Sequence, residues 1–441
     1  MKRLAVAVLA ALATASGASA EVVARGVPDG MLAVTPSGAP AVAYARGRTL
    51  FVSRREGGRW IAQRAGRVAT GSTLAAFAVG GAGPALLVVG PNDRTLTLFR
   101  RGARRWLRTP LVTKLAPGVV LGPPGLAVDR GGNAVVAYTR WRARKHLSRL
   151  LLVRASADGV RSENVTRNGW PASYVPPPAA PVVLPDGSIH VVETYGFLGT
   201  VGTIEWYRTG TTWTGQYLSG DQGDWPVGAM FAAVGPSNVV YAAWTETTIG
   251  WDEYPVTLAS HGRQIGADLV FDRALTTGLA LTAHGPHVAA NQWVSAAQLG
   301  LAGSGFVWAG TISGSGGTEL DGWISGVAAA PKGAEDVLLA GGSSLSWFRA
   351  KSFPVRVSLA ATRQDDGSVA VSGRVRGRST GSVTIYRERP GTRAVAATVG
   401  LTGGGFSYVD ETPQQPALYR AVYIDPATGI PYARLLREPV G

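Results

Sequence analysis

One phrase of apolar and turn residues returns along the chain: an apolar strand, a tight turn, then a second apolar strand ending on a polar or aromatic residue. It reads LAVTPSGAPAVAY from Leu32, LAVDRGGNAVVAY from Leu126, VVLPDGSIHVVET from Val182, AVGPSNVVYAAW from Ala233 and LALTAHGPHVAAN from Leu279. Weaker copies are FAVGGAGPALLVV from Phe77 and VAAAPKGAEDVLL from Val327. The shared turn position falls at Gly38, Gly83, Gly132, Gly187, Asn238, Gly285 and Gly333, at intervals of 45 to 55 residues. Gly and Asn are the residues that tolerate positive φ in a tight hairpin. A further strand, often a Gly turn and a large apolar residue follow, as in LFVSRREGGRW ending at Trp60, TIEWYRTGTTW ending at Trp213 and LSWF at residues 345–348. Four short strands repeated about every fifty residues, with no helical periodicity, predict an all-β fold: a seven-bladed β-propeller over residues 24–350. Its end blade can be completed from the other terminus.

From Phe353 the phrase shortens to alternating strands, VRVSLAATR, SVAVSGRVRG, GSVTIYRER, AVAATVGL, FSYVDE and ALYRAVYID, separated by Gly, Pro and Asp turns. That spacing predicts a small β-sandwich over residues 353–441. Ser352-Phe353-Pro354 marks the junction, because Pro interrupts strand pairing. Tyr419 is expected in the sandwich core.

The long repeat resembles the BNR or sialidase-like propellers of secreted bacterial proteins, and the tail resembles the Ig-like modules appended to many of them. The hairpin box of that family runs Ser-x-Asp-x-Gly-x-x-Trp. Ser53, Gly57 and Trp60 fit the frame with Arg55 at the Asp position, while Gly210 and Trp213 fit with Arg208 there. No Phe/Tyr-Arg-Ile-Pro segment is present to supply a sialidase's first substrate-binding Arg. The resemblance therefore implies the fold rather than the hydrolysis.

Lys2 and Arg3, the apolar run from Leu4 to Ala13 and the small residues Ala18-Ser19-Ala20 form the three parts of a secretory signal peptide over residues 1–20. The run is too short for a transmembrane helix. We therefore expect a secreted, extracellular protein with no membrane span. The absence of Cys excludes a disulfide framework and thiolate chemistry. No phosphate-binding or dinucleotide fingerprint is present, and no cofactor or metal is expected.

The formal charge of +15 is unevenly spread. Residues 25–168 hold 24 basic and 6 acidic side chains, and residues 169–350 hold 5 basic and 14 acidic. One half of the ring is thus cationic and the other anionic, a field able to orient a partner within a Debye length of about 8 Å. Two clusters carry much of the excess: Arg100-Arg101 with Arg104-Arg105, and Arg140-Trp141-Arg142 with Arg144-Lys145. They read either as solvated strand edges or as a surface for an anionic cell-envelope polymer. Export makes nucleic acid an unsuitable partner.

In a propeller, the loops leading into each inner strand share a face with the loops between second and third strands. That face gathers Trp170, Asp221, Asp224, Trp225, Trp251, Asp252, Glu253, Trp293, Asp321 and Trp323. Aromatic rings beside carboxylates suit sugar recognition, and also cation capture. The expected function is a non-catalytic binding protein for an extracellular glycan or protein. Two alternatives stand beside it: a glycoside hydrolase or lyase using paired carboxylates from the same loops, and a cell-envelope scaffold without a small ligand.

Overall fold

The computed structural model describes residues 20–441, apart from residues 103, 146, 167–169, 172–175, 198–199, 220–224, 248–255, 261–262, 269–272, 283–284, 297–299, 310–317, 342–343, 390–391, 414–415, 437–439 and 441. All but the last residue of the expected signal peptide lies outside the described residues. Among those described, no helix is long and apolar enough to cross a membrane.

Seven antiparallel sheets follow one another, each folded as a meander from its inner strand outward. The inner strands are Gly30–Val34, Thr73–Gly80, Gly125–Val128, Ala179–Val183, Trp225–Val234, Arg273–Thr282 and Trp323–Ala329. Each touches the next, and the seventh touches the first, so the sheets close into a ring. The fourth strand of the seventh sheet is Glu21–Arg25, paired antiparallel with Ser344–Ala350. The end of the ring is thus completed from the N-terminal side, the option that the repeat count leaves open.

All seven turn positions of the repeat adopt positive φ, from 61° at Asn238 to 117° at Gly83. In this region a side chain meets the backbone, which is why six of the seven are Gly and the seventh is Asn.

Among the described residues there is no single core. Apolar side chains fill the spaces between consecutive sheets instead. Leu50 and Val52 of the first meet Leu86, Val88 and Phe99 of the second, and Leu87 and Leu98 of the second meet Val136 and Tyr138 of the third. Val182 and Val192 of the fourth meet Ala242 and Trp244 of the fifth. Such sheets bury both faces only in company, as stacked repeats must. Backbones approach closely at the centre. A Cβ placed on Gly125 would stand 2.7 Å from both the Ala179 carbonyl oxygen and the Ala180 Cα.

Beyond residue 350, Arg356–Arg363, Val369–Arg376 and Gly405–Asp410 form one sheet. Ser382–Arg389, Thr392–Gly400, Leu418–Ile424 and Pro431–Leu435 form the facing one. Six of these seven strands are legible in the sequence, and Pro431–Leu435 is the addition. That strand pairs with Thr318–Leu320 of the sixth sheet at Leu320 and Tyr432, joining both halves of the molecule in one eight-stranded sheet. A shared core that includes Ile324, Leu339 and Phe348 together with Val371, Ile385 and Tyr432 reinforces the joint. The sequence expects two consecutive modules. The structure fuses them side by side.

Candidate functional site

Backbone register brings several of the expected site residues to one end of the ring. Trp170 pairs with Ser148 beside the third sheet, and Trp225 opens the fifth inner strand opposite Thr247. Trp293 pairs with Arg273 near the far end of its strand, and Trp323 opens the seventh inner strand opposite Ala340. Inner strands begin and second strands finish at this end, as the repeat predicts. The Trp323 side chain is 37% exposed. Only the backbones of Trp170, Trp225 and Trp293 are described, and Asp221, Asp224, Trp251, Asp252 and Glu253 lie outside the described residues.

Asp321 has a different occupation from the one expected. Its carboxylate receives two hydrogen bonds from Arg393 of the C-terminal sandwich, at 2.5 and 2.9 Å, and Arg420 stands 3.7 Å away. Its N–H donates to the Pro431 carbonyl at 2.8 Å. Asp321 therefore helps to hold the sandwich against the ring. The sequence groups it with the other acids because nothing in local spacing reveals a strand that arrives 110 residues later.

The histidines are also structural where they are described. His190 pairs with Glu205 across its sheet, and His287 Nδ1 lies 2.5 Å from Glu335 Oε2 in the space between the sixth and seventh sheets. Burial pushes the Glu335 carboxyl above its ordinary value, with His287 pulling it back. Among the described residues, no group of three or more His, Cys, Asp or Glu side chains could hold a metal ion. Glu193 points away from His190, as strand alternation requires. It is buried against the third sheet, where Ser148 Oγ donates to it at 3.4 Å, and desolvation pushes its carboxyl up to about 8.

Two of the concavities among the described residues bear on a ligand. All seven inner strands line a central cavity of about 240 Å³, walled by Met31, Phe77, Leu126, Met230, Phe231 and Leu279. Thr277 and Ser325 add hydroxyls, so this axial space offers few groups to orient a polar ligand. The second cavity, of about 190 Å³, lies in the third sheet where it faces the second. Its wall holds Lys114, Arg140, Arg142 and Arg149 over an apolar floor that includes Leu115, Val119 and Leu147. Register explains the clustering. Arg140 pairs with Arg149, and Arg142 pairs with both Leu147 and Val119. Directly paired residues share a face. Alternation along Ala134–Arg142 makes Arg140 and Arg142 legible as one face from sequence, but the partner Arg149 depends on the hairpin register.

No family model and no curated protein matches the sequence. Among solved structures, the chain is similar to the polysaccharide lyase Uly1, with 10% identity and a TM-score of 0.43 over 77% of this chain and 91% of that one. It is similar to a Penicillium chrysogenum alpha-L-arabinanase complexed with arabinobiose, at 13% identity and a TM-score of 0.39, over 76% and 98%. A third is the SapL1 lectin in complex with alpha methyl fucoside, at 12% identity and a TM-score of 0.38, over 86% and 98%. Likenesses at this level decide neither fold nor activity. The ring rests on its own sheet topology.

Proposed function

We propose that the chain is a secreted binding protein, a seven-bladed β-propeller joined to an Ig-like β-sandwich, that recognises an extracellular glycan or protein through the end of the ring bearing its tryptophans. The observation that supports this is the gathering of Trp170, Trp225, Trp293 and Trp323 at that end by backbone register. Indole rings offer flat apolar surface for the C–H face of a sugar at little cost in conformational freedom, which is why aromatic anchors dominate binding surfaces. The repeated glycine turns, the closing strand Glu21–Arg25 and the tiling of small inter-sheet cores support the propeller reading. Strand order supports the sandwich reading: three strands face four, and Tyr419 near the start of the sixth strand donates its hydroxyl to Asp410 at 2.7 Å.

Hydrolysis, the alternative, would draw on the acids expected at this end, among them Asp321. Of the acids expected at this end, it is the one described, and its carboxylate is taken up by arginines. Glycosidase chemistry needs two carboxylates about 5 to 9.5 Å apart on either side of the scissile bond. Binding to a glycan array, run beside turnover of chromogenic glycosides, tests the proposal: selective binding without turnover is expected, and turnover moves the protein to the hydrolases.

A further inference from the structure

We infer that the cavity in the third sheet is an oxyanion pocket that takes the carboxylate or sulfate of an acidic polysaccharide. The inference names a ligand class within the binding reading above and rests on it for the word polysaccharide; anion capture by these arginines stands on its own observations.

Four cationic side chains, Lys114, Arg140, Arg142 and Arg149, converge on a space of about 190 Å³ whose lining contains no acid. Among the described residues, none of the four forms an ion pair with a carboxylate. Several arginines elsewhere are matched with acids, such as Arg55 with Glu21, Arg349 with Asp336, Arg378 with Asp425, and Arg387 with Asp410. Arg140 is the most buried of the four cationic side chains. It lies over the Tyr138 ring and donates one bond, from Nη2, to the Tyr138 hydroxyl at 3.2 Å. Its Nε is buried and has no hydrogen-bond partner. A buried donor without an acceptor costs about 1–3 kcal/mol. A guanidinium presents its donors as a fork matched to an oxyanion. An oxyanion seated here meets that unsatisfied donor and the neighbouring positive charges together.

The floor separates a sugar acid from a free ion. Leu115 and Val119 are buried, and Leu147 is partly exposed beside them. A sugar ring can lay its C–H face on these residues while its acid group meets the arginines. The volume is below the ~300–1,000 Å³ of drug-sized sites, so the cavity accepts one residue of a polymer while neighbouring residues run along the exposed rim of Lys114 and Arg142. The location adds reach. Trp170 pairs with Ser148, the neighbour of Arg149, so the pocket opens beside the tryptophan-bearing end.

The test is the retention of the full chain on immobilised polygalacturonate, dextran sulfate, unmodified dextran and duplex DNA, with affinities measured in solution at two salt concentrations. Variants are Arg140→Gln/Arg149→Gln, the rim pair Lys114→Gln/Arg142→Gln, whose side chains are exposed and do not endanger folding, and the control pair Arg59→Gln/Arg161→Gln on exposed positions elsewhere. The expected result is retention on one or both acidic glycans and not on dextran, about tenfold weaker in each pocket pair and unchanged in the control pair. Equal loss in pocket and control pairs reduces the effect to diffuse charge and overturns the inference. Absence of retention on both acidic glycans overturns it as well. DNA binding with the same dependence on the pocket arginines overturns the carbohydrate assignment. Neutral-glycan binding lost on mutating Trp225 or Trp323 reports on the broader binding reading alone, so the two claims fail separately.

Discussion

Arg55 grips the carboxylate of Glu21 at two points, Nη2 to Oε1 at 2.6 Å and Nε to Oε2 at 2.8 Å, and so fastens the first sheet of the ring to the strand that completes the seventh. The same guanidinium lies over Trp347, whose ring meets Trp60 edge-on at 5.7 Å. Arg55 occupies the position that the related hairpin box gives to Asp. Here the side chain at that position takes part in the closure of the ring.

Both partners of that ion pair are about 30% exposed, so screening limits its worth to about 1 kcal/mol. Glu21→Ala is therefore expected to lower stability by about that amount in urea unfolding. Deleting residues 21–25 is expected to cost several times more, because Val23 and Ala24 leave the core between the seventh and first sheets and the strand Ser344–Ala350 loses its partner.

Gly125 tests the tight centre of the ring. A side chain here meets backbone atoms at 2.7 Å, which no rotamer change relieves. Gly125→Val is expected to destabilise by about 3 kcal/mol or more, in the range of severe overpacking. Gly118, with nothing within 4 Å of its added Cβ but a φ of +73°, is expected to tolerate Asn with a loss of under about 1 kcal/mol. Thermal melts of the two variants side by side check the contrast.

Asp321 and Arg393 join the sandwich to the ring, and removing the acid takes that carboxylate from Arg393, while the nearly buried Arg420 keeps its pair with Glu388. Asp321→Ala is expected to cost about 1 kcal/mol, because Arg393 is a third exposed and solvent screens the pair. Calorimetry is the measurement: one cooperative transition in the wild type, with an earlier separate transition of the sandwich in the variant.

Glu193 and Asp410 predict opposite pH dependences. Burial holds the Glu193 carboxyl up to about 8, above its value in the unfolded chain. Its contribution is therefore complete below about pH 4.3 and lost as pH rises toward 8. Glu193→Gln should flatten the decline in stability between pH 5 and 8. Burial also opposes ionisation of Asp410, but Arg387 and Tyr419 outweigh it and hold the carboxyl below its ordinary value. That contribution is present above about pH 3.9 and disappears as pH falls through the lower folded value. Asp410→Asn should lower stability at neutral pH and soften the acid limb. Urea titrations across pH separate the two.

The ring was legible in sequence because its determinants are local and repeated. A glycine that must take positive φ recurs at each hairpin, and alternation sorts buried from exposed positions within each strand. The parts that were not legible depend on distant pairing. Nothing near Asp321 announces Arg393, and Leu320 and Tyr432 meet across more than a hundred residues. The basic pocket was half legible: strand alternation puts Arg140 and Arg142 on one face, but Arg149 joins them only through the register of the hairpin. The tryptophans could be ordered on one end because the loop positions follow from the repeat, whereas what each indole touches does not.

Binding through the tryptophan-bearing end is tested by a glycan-array and solution-binding comparison of the wild type with Trp225→Ala, Trp323→Ala and Tyr217→Ala. Tyr217 is 54% exposed on an outer strand and serves as the control. Selective binding by the wild type is expected, with a loss of about tenfold or more in each tryptophan variant, in the range of anchor residues, and full binding by Tyr217→Ala. Unchanged binding in both tryptophan variants would contradict binding through that end.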